Sequence, residues 1–326
     1  LPPRWRDLRV VFVRGASSLR RRSRSSILVC FESGNCREVN VRDMEALVVL
    51  GAGVSIESGV ISLLSSFNIP TVVASRLGTS ILSVPVVTLF NEARRKQYGM
   101  TEEEKRDIMY RILTAKLKGL ANVLKYYGAE PPGAAELREG EELLRWEAAS
   151  SRAYWSELVK LLPQEALEEL KLKYGFEGRR PRAADPLNKS VSLLYSLLYA
   201  LCLRALLASG LDPTHGLHHK TRYSTPLVYD YSEMFKPLAV HTVIKTYRSG
   251  KKLELGEDEE LSRESINTVA GEFFKLLRAR IAGTRYSVYR LIYINAFRLA
   301  DRIRGDTSAS YTFTYNPKKL RISKEA

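Results

Sequence analysis

Apolar positions in the first 90 residues follow a short-period pattern that predicts β-strands. A helix is predicted over residues 55–67, and the basic, Ser-rich stretch 17–24 is predicted to be a loop. The predicted strands are runs rich in Val, Leu and Ile, at residues 8–13, 26–31, 37–41, 46–50, 70–74 and 80–87. This part of the chain therefore predicts a small β-rich N-terminal domain at residues 1–90.

From about residue 91 the apolar positions change to helical spacing. Thr101 followed by Glu104 forms a capping box, and Ile108, Ile112 and Ala115 then repeat on one helix face. Further helices are predicted at residues 141–160, 190–207, 230–246, 262–279 and 287–304. The two patterns together predict an α+β protein in which a larger all-α C-terminal domain, residues 91–326, follows the β-rich one.

The most apolar stretch, residues 191–203, is too short to cross about 30 Å of hydrocarbon, so we predict a buried core helix and no membrane span. The chain begins Leu-Pro-Pro-Arg-Trp-Arg with no apolar stretch behind it, so no signal peptide is expected. The three cysteines show no short paired spacing, so we expect neither a disulfide framework nor a cysteine zinc site. These features predict a protein of the reducing cytoplasm.

Basic residues outnumber acidic ones, with 51 Lys and Arg against 36 Asp and Glu and a net charge of +15. This excess favours a polyanionic partner, with nucleic acid ahead of a membrane surface; the alternative is a solvated basic surface without a ligand. Arginines concentrate in residues 1–24, where Asp7 is the only acid. We expect residues 20–24 to be exposed and to contact DNA phosphates or an acidic patch on a partner, the alternative being a disordered tip without a role.

A short glycine motif resembles the start of a dinucleotide-binding turn. Gly51 and Gly53 follow a predicted strand, but Ile56 stands where the third glycine of that motif belongs. Arg76 and Leu77 stand where an acidic residue would hold a ribose hydroxyl. We therefore predict an ordinary tight turn.

Polar residues with possible chemistry lie in three segments of the helical region. Three of the four histidines, His215, His218 and His219, lie in a loop broken by Gly and Pro, where metal ligands and general bases are common. Asp230 and Glu233 stand at i and i+3, so they share a helix face and can accept a hard divalent cation between them; the alternative is an ordinary solvated acidic face. The third segment places one glutamate among small and aromatic neighbours, where it is either packed closely or a plain surface residue: Glu147.

Four motifs, three of them in these segments, occur in one order along the chain. They are Glu147-x4-Arg152-x-Tyr154-Trp155, Asp185-Pro186-Leu187-Asn188, Gly210-Leu211-Asp212-Pro213 with Gly216-x-x-His219, and Asp230-x-x-Glu233-x-Phe235-Lys236-Pro237. In this order they resemble the integrase/endonuclease of the CRISPR adaptation module, the family that inserts new spacers. The resemblance extends to residues 47–77, 261–274 and 296–315 and so covers most of the chain.

The resemblance implies a catalytic site in the helical domain. The family's metal ligands fall on Glu147, His219 and Glu233, and its accompanying aspartate falls on Asp230, as a supporting residue or an alternative ligand. The implied cofactor is Mg²⁺ or Mn²⁺. His218 stands where the family usually has an apolar residue.

The implied reaction is strand transfer into a CRISPR array, in which the 3′-hydroxyl of an incoming DNA attacks a phosphodiester; water in its place gives nuclease activity. The implied partners are double-stranded DNA, a second copy of the chain bound through the N-terminal domain, and a small protein of the same module. Lys220 and Arg222 are candidate phosphate contacts. The alternatives are a non-catalytic DNA-binding scaffold protein and a zinc hydrolase that uses one of the loop histidines.

Overall fold

The computed structural model describes residues 10–51, 53–67, 69–75, 78–82, 91–133, 142–180, 183–219 and 224–322. Its N-terminal part forms two sheets. One has, in spatial order, β1 (Val10–Arg14), β5 (Ala46–Leu50), β7 (Thr71–Ser75) and β8 (Gly78–Leu82). The other has β4 (Cys36–Asn40), β3 (Ser26–Phe31), β2 (Ala16–Arg21) and β6 (Ser55–Ile56), and α1 (Ser58–Ser66) packs against β2.

The sheet that contains β5 is buried on both faces, because successive side chains of a strand point to opposite sides. Leu47 and Val49 join a core shared with the second sheet and α1. Ala46 and Val48 join the core of the helical part. Strands β1, β5 and β7 pair in parallel. Parallel strands are usually covered on both faces of the sheet, and their sequences are then continuous apolar runs.

The helical part begins at residue 91 and packs around α6. Its elements are α2 (Asn91–Tyr98), α3 (Glu102–Tyr126), α4 (Leu143–Val159), α5 (Gln164–Tyr174), α6 (Pro186–Ala208), α7 (Pro226–Ser232), α8 (Lys236–Arg248), α9 (Arg263–Arg278) and α10 (Val288–Arg304), with a short pair of strands, β9 (Arg280–Ile281) and β10 (Leu320–Arg321). The predicted fold class is confirmed. A domain boundary near residue 90 stays a prediction, and residues 83–90 lie outside the described ones.

Helix α6 contacts α7, α8, α9 and α10 as well as β5 and β7. Asp185 caps its start by accepting a hydrogen bond from the Asn188 N–H, and Pro186 follows in the first turn. Among the described residues, α6 is long and apolar enough to span a membrane, yet 72% of its most apolar window is buried inside the protein. The helix is longer than predicted, so its burial, and not its length, supports a core helix.

Two local predictions were wrong in the N-terminal part. Residues 17–24 are not all loop, because β2 runs through Arg21 and pairs with β3 on one side and β6 on the other. The prediction of no disulfide was also wrong: Cys30 and Cys36 are directly paired across β3 and β4 and form a disulfide. Their separation in sequence spans a hairpin turn, and antiparallel pairing brings their Cα atoms to 4.1 Å.

The two glycines of the motif after β5 have backbone conformations that suit the predicted turn. Gly51 and Gly53 have φ angles of 118° and 91°, which favour glycine. The next element is the strand β6, and the helix predicted from residue 55 begins only at Ser58. A helix directly after the turn, which dinucleotide binding requires, is therefore not formed.

The helix predicted over residues 230–246 is divided into three pieces. Helix α7 ends at Ser232, a 3₁₀ turn covers Glu233–Phe235, and α8 starts at Lys236. Pro237 explains the break, because its ring nitrogen has no hydrogen to continue the helical ladder. The break places Glu233 at the junction of two helices.

Candidate active site

A buried cluster of four charged side chains joins α3, α4 and the junction of α7 and α8. The ammonium of Lys116 lies 2.8 Å from Oε2 of Glu233 and also contacts Oε1 of Glu147. Lys236 contacts Oε1 of Glu233. The Ser151 hydroxyl, one turn after Glu147, donates to Oε1 of Glu147 at 2.6 Å. Two carboxylates that are 86 positions apart in the sequence are thus joined by one ammonium.

The cluster is held in its charged form by mutual attraction. Burial alone would raise the pKa of Glu233, but Lys116 and Lys236 outweigh it and lower that pKa to about 2. Burial would likewise raise the pKa of Glu147, and Lys116 turns the net change into a lowering. Burial would lower the pKa of Lys116, and the carboxylates of Glu233 and Glu147 raise it instead. Both carboxylates are therefore ionised at neutral pH and able to bind a cation.

The capping box predicted at the start of α3 is formed. Thr101 accepts a hydrogen bond from the Glu104 N–H at 3.2 Å, and the Glu104 carboxylate accepts one from the Thr101 N–H at 2.8 Å. The apolar residues along α3 determine which side of the helix faces the core. Lys116 lies on that buried side, opposite Glu147 of α4 and Glu233.

Asp230 organises the histidine loop from the start of the Asp-x-x-Glu motif. Its side chain is fully buried, and Oδ2 accepts the backbone N–H of Leu217 at 2.6 Å and of His218 at 3.0 Å. Oδ1 accepts the backbone N–H of His219 at 3.1 Å and contacts Nδ1 of His219 at 2.6 Å. A carboxylate accepts, so Nδ1 carries the hydrogen, and in the neutral imidazole Nε2 then presents its lone pair.

The glycine of the Gly-x-x-His motif is required by close approach. A Cβ atom at Gly216 would lie 2.7 Å from the carbonyl oxygen of His219 and 2.7 Å from Cβ of Pro226. It would also lie 3.0 Å from Oδ2 of Asp230. The loop therefore folds back on itself over Asp230 only with glycine at this position.

The other two loop histidines differ in their surroundings. His215 packs edge-on against Tyr98 of α2, and Gln97 of α2 donates to the carbonyls of His215 at 2.7 Å and of Asp212 at 2.9 Å. Nε2 of His218 is buried, and no hydrogen-bond partner for it occurs among the described residues. Burial lowers the pKa of His218, partly offset by the carboxylate of Asp230.

The predicted ligands are brought together in two pairs. Glu147 and Glu233 share Lys116, and His219 pairs with Asp230, three positions before Glu233. Within the described part of the chain, no group of three His, Cys, Asp or Glu side chains is arranged to hold a metal ion. The donors fit Mg²⁺ or Mn²⁺ in kind, since both take carboxylate oxygens and Mn²⁺ also accepts imidazole. The ligand set stays a prediction.

Two predicted phosphate contacts lie outside the described residues, and two lysines of the site were not predicted. Lys220 and Arg222 fall in residues 220–223, which are outside the described ones. Lys116 was missed, although a lysine between apolar positions of one helix face is a signal of a buried charge. Lys236 belongs to the fourth motif, but no role was predicted for it. The arginines at the β2–β3 turn, Arg20, Arg21, Arg22 and Arg24, are exposed as predicted.

Comparisons with known proteins identify the same family that the order of motifs predicted. The family described as CRISPR associated protein Cas1 matches residues 11–266. CRISPR-associated endonuclease Cas1 2 of Saccharolobus solfataricus is 30% identical over 240 residues, which is 72% of this chain and 72% of that protein.

Two solved structures share the fold. "Casposase bound to integration product" superposes with a TM-score of 0.76 at 19% identity and covers 98% of this chain and 96% of its own. "Cas6-RT-Cas1--Cas2 complex" has a TM-score of 0.74 at 15% identity and covers 97% of this chain and 37% of its own. At such low identity these two structures establish the fold alone. The match over residues 11–266, together with the Saccharolobus relative, establishes that this chain belongs to the family of CRISPR associated Cas1 proteins.

Proposed function

We propose that this protein is a metal-dependent DNA endonuclease and integrase of the cytoplasm that inserts new spacers into a CRISPR array by strand transfer. One observation carries the proposal. Glu147 and Glu233, from distant parts of the chain, meet at one buried ammonium, and Asp230, which orients His219, lies three positions before Glu233. Ionised carboxylates are ligands that Mg²⁺ and Mn²⁺ accept readily, and phosphodiester chemistry commonly uses such an ion.

In this proposal Glu147, His219 and Glu233 hold Mg²⁺ or Mn²⁺. When bound, the ion neutralises the non-bridging phosphate oxygens and lowers the pKa of the attacking hydroxyl. Asp230 keeps the Nδ1 hydrogen of His219 in place, so that Nε2 either anchors the ion or takes the proton of the attacking group. The attack exchanges one phosphodiester for another, and water in place of the 3′-hydroxyl gives cleavage.

The proposed partners follow from family membership and charge. The net charge of +15 suits double-stranded DNA, with Lys220 and Arg222 as candidate phosphate contacts beside the histidine loop. A solved structure with this fold is a Cas1–Cas2 complex, which supports a small partner protein of the adaptation module. We further propose a homodimer formed through the N-terminal sheets.

Single substitutions at the proposed ligands test this function. Glu147→Ala, His219→Ala and Glu233→Ala should each lower Mn²⁺-dependent cleavage and strand transfer by roughly a hundredfold or more, because each removes a ligand of the ion. The assay is nicking and joining of labelled duplex DNA by purified protein, with His218→Ala and His215→Ala as matched variants of the same loop.

The alternatives give different results in the same assay. A scaffold protein would bind the duplex without any metal-dependent cleavage. A zinc hydrolase would require Zn²⁺ in the purified protein. If His219→Ala kept full activity and His218→Ala lost it, the ligand would be His218 and the assignment to His219 would be wrong.

A further inference from the structure

Lys116 is an unusual residue at its position in α3. Only 8% of it is exposed, and the helix positions around it, Ile112, Leu113 and Leu120, are buried and apolar. A lysine is rarely this buried without a compensating anion, because removing an ammonium from water is costly. The groups that the ammonium contacts must therefore compensate for its burial.

The ammonium of Lys116 is the group that joins the two carboxylates. It lies 2.8 Å from Oε2 of Glu233 and contacts Oε1 of Glu147, whereas Lys236 contacts Oε1 of Glu233. The two ammoniums balance the two carboxylates, so the cluster is neutral as it stands. Without Lys116, Lys236 would still contact Glu233, but the ammonium that joins the two carboxylates would be lost, and one negative charge would stay unbalanced where little water screens it.

We propose that Lys116 is a built-in cation that holds Glu147 and Glu233 together before metal binds and then competes with the divalent ion for the same oxygens. The inference rests on the proposed function in taking these carboxylates as metal ligands. Metal loading then requires the ammonium to move aside. Lys116 is thus a positioning residue that sets how much divalent ion the protein needs.

The direction of the effect follows from charge. An ion that enters the neutral cluster must displace an ammonium, whereas an ion that enters the cluster without the Lys116 charge meets one unbalanced negative charge and gains its attraction. Lys116→Met keeps the length of the side chain and removes the charge. It should bind Mn²⁺ about tenfold more tightly than the parent, or better. Lys116→Arg keeps the charge and should stay within about threefold of the parent.

Three measurements on the full chain test the inference. Mn²⁺ alone is titrated by calorimetry or electron paramagnetic resonance, which needs no DNA. Thermal unfolding with and without Mn²⁺ should show a lower midpoint for metal-free Lys116→Met and a larger rise with Mn²⁺ than in the parent. The Mn²⁺ concentration for half-maximal DNA cleavage should also fall in Lys116→Met, whereas a merely structural defect would lower cleavage at every Mn²⁺ concentration.

Matched variants keep the outcome clear. Lys245→Met removes an ammonium that contacts Glu272 elsewhere in the helical domain and should leave Mn²⁺ binding unchanged. Lys116→Gln replaces Lys116→Met if the latter does not fold, since an amide still donates hydrogen bonds to both carboxylates. Mn²⁺ affinity in Lys116→Met or Lys116→Gln equal to that of the parent overturns the inference.

The proposed function fails in a distinguishable way. If Glu233→Ala binds Mn²⁺ as tightly as the parent, the carboxylates are not the ligands and the proposed function loses its site. If Glu233→Ala loses Mn²⁺ while Lys116→Met matches the parent, the ligand assignment stands and only the competition by Lys116 is wrong.

Discussion

Asp230→Asn is the substitution that most directly tests how the histidine loop is held. The parent carboxylate accepts four hydrogen bonds, from the backbone N–H groups of Leu217, His218 and His219 and from Nδ1 of His219. An asparagine keeps one oxygen, and its amino group must face two of the four donors in either orientation. The change therefore removes two bonds to a charged group and sets donors against each other in a fully buried place.

The expected loss of stability is about 3 kcal/mol, taking hydrogen bonds to charged groups at roughly 1.5–3 kcal/mol each and allowing for the lower cost of burying a neutral amide. This corresponds to a melting temperature lower by about 6–10 °C. DNA cleavage should fall at temperatures where the variant is still folded, because His219 loses the partner that fixes its ring and its tautomer.

The assay combines thermal unfolding with cleavage of duplex DNA well below the melting temperature. Asp306→Asn is the matched control, since Asp306 accepts the Ser308 N–H and hydroxyl through Oδ1 at an exposed turn, which asparagine also can do. An Asp230→Asn protein that melts within about 1 °C of the parent and cleaves DNA equally well would refute the role assigned to Asp230.

The remaining predictions concern pH, the disulfide and the N-terminal arginines. The pKa of Glu233 falls from its ordinary 4.5 to about 2 on folding, so its contribution to stability, about 3 kcal/mol, is present above pH 4.5 and lost as the pH falls toward 2. Urea unfolding at a series of pH values should show a flatter acid limb in Glu233→Gln, and an unchanged limb would contradict the ion pairs. Reducing the Cys30–Cys36 disulfide, or replacing both residues by Ala, should lower stability by about 2 kcal/mol because the closed loop is short; equal unfolding midpoints with and without reductant would argue against the cross-link. The exposed arginines near the β2–β3 turn are Arg20, Arg21, Arg22 and Arg24. Neutralising them together should weaken binding of duplex DNA or of the partner protein and reduce the salt dependence of that binding, without affecting Mn²⁺ binding. If the variant bound DNA and partner as well as the parent at physiological salt, these arginines would have no role in binding.

The sequence predicted those parts of the fold where local pattern and burial agree. The bounds of β3 and β5 were predicted as observed, because Ser26–Phe31 and Ala46–Leu50 are apolar runs bounded by turn residues. Strand β2 was missed, because four of its six residues are Ser or Arg and only Ala16 and Leu19 of it are buried. It is a strand because β3 and β6 supply hydrogen-bond partners on both sides, which no local pattern records.

The candidate site was predictable only as a set of residues. The motifs pointed to Glu147, His219 and Glu233, but one of the two charges that neutralise the carboxylates comes from another part of the chain. Lys116 lies 31 positions before Glu147, and the contact depends on how α3 packs against α4. The division of the predicted helix at Glu233 was also missed, although Pro237 carried the signal for it.

The junction between α7 and α8 limits how this protein can change in evolution. Asp230, Glu233 and Lys236 follow one another at three-residue steps, and each makes a different contact: the histidine loop, Lys116 and Glu233 itself. Inserting or deleting one residue here would rotate everything after it by about 100° around the helix axis and break all of the later contacts at once. A substitution in this segment changes one contact at a time, whereas a change of length disrupts several contacts together. Homologous chains should therefore align across residues 230–237 without gaps.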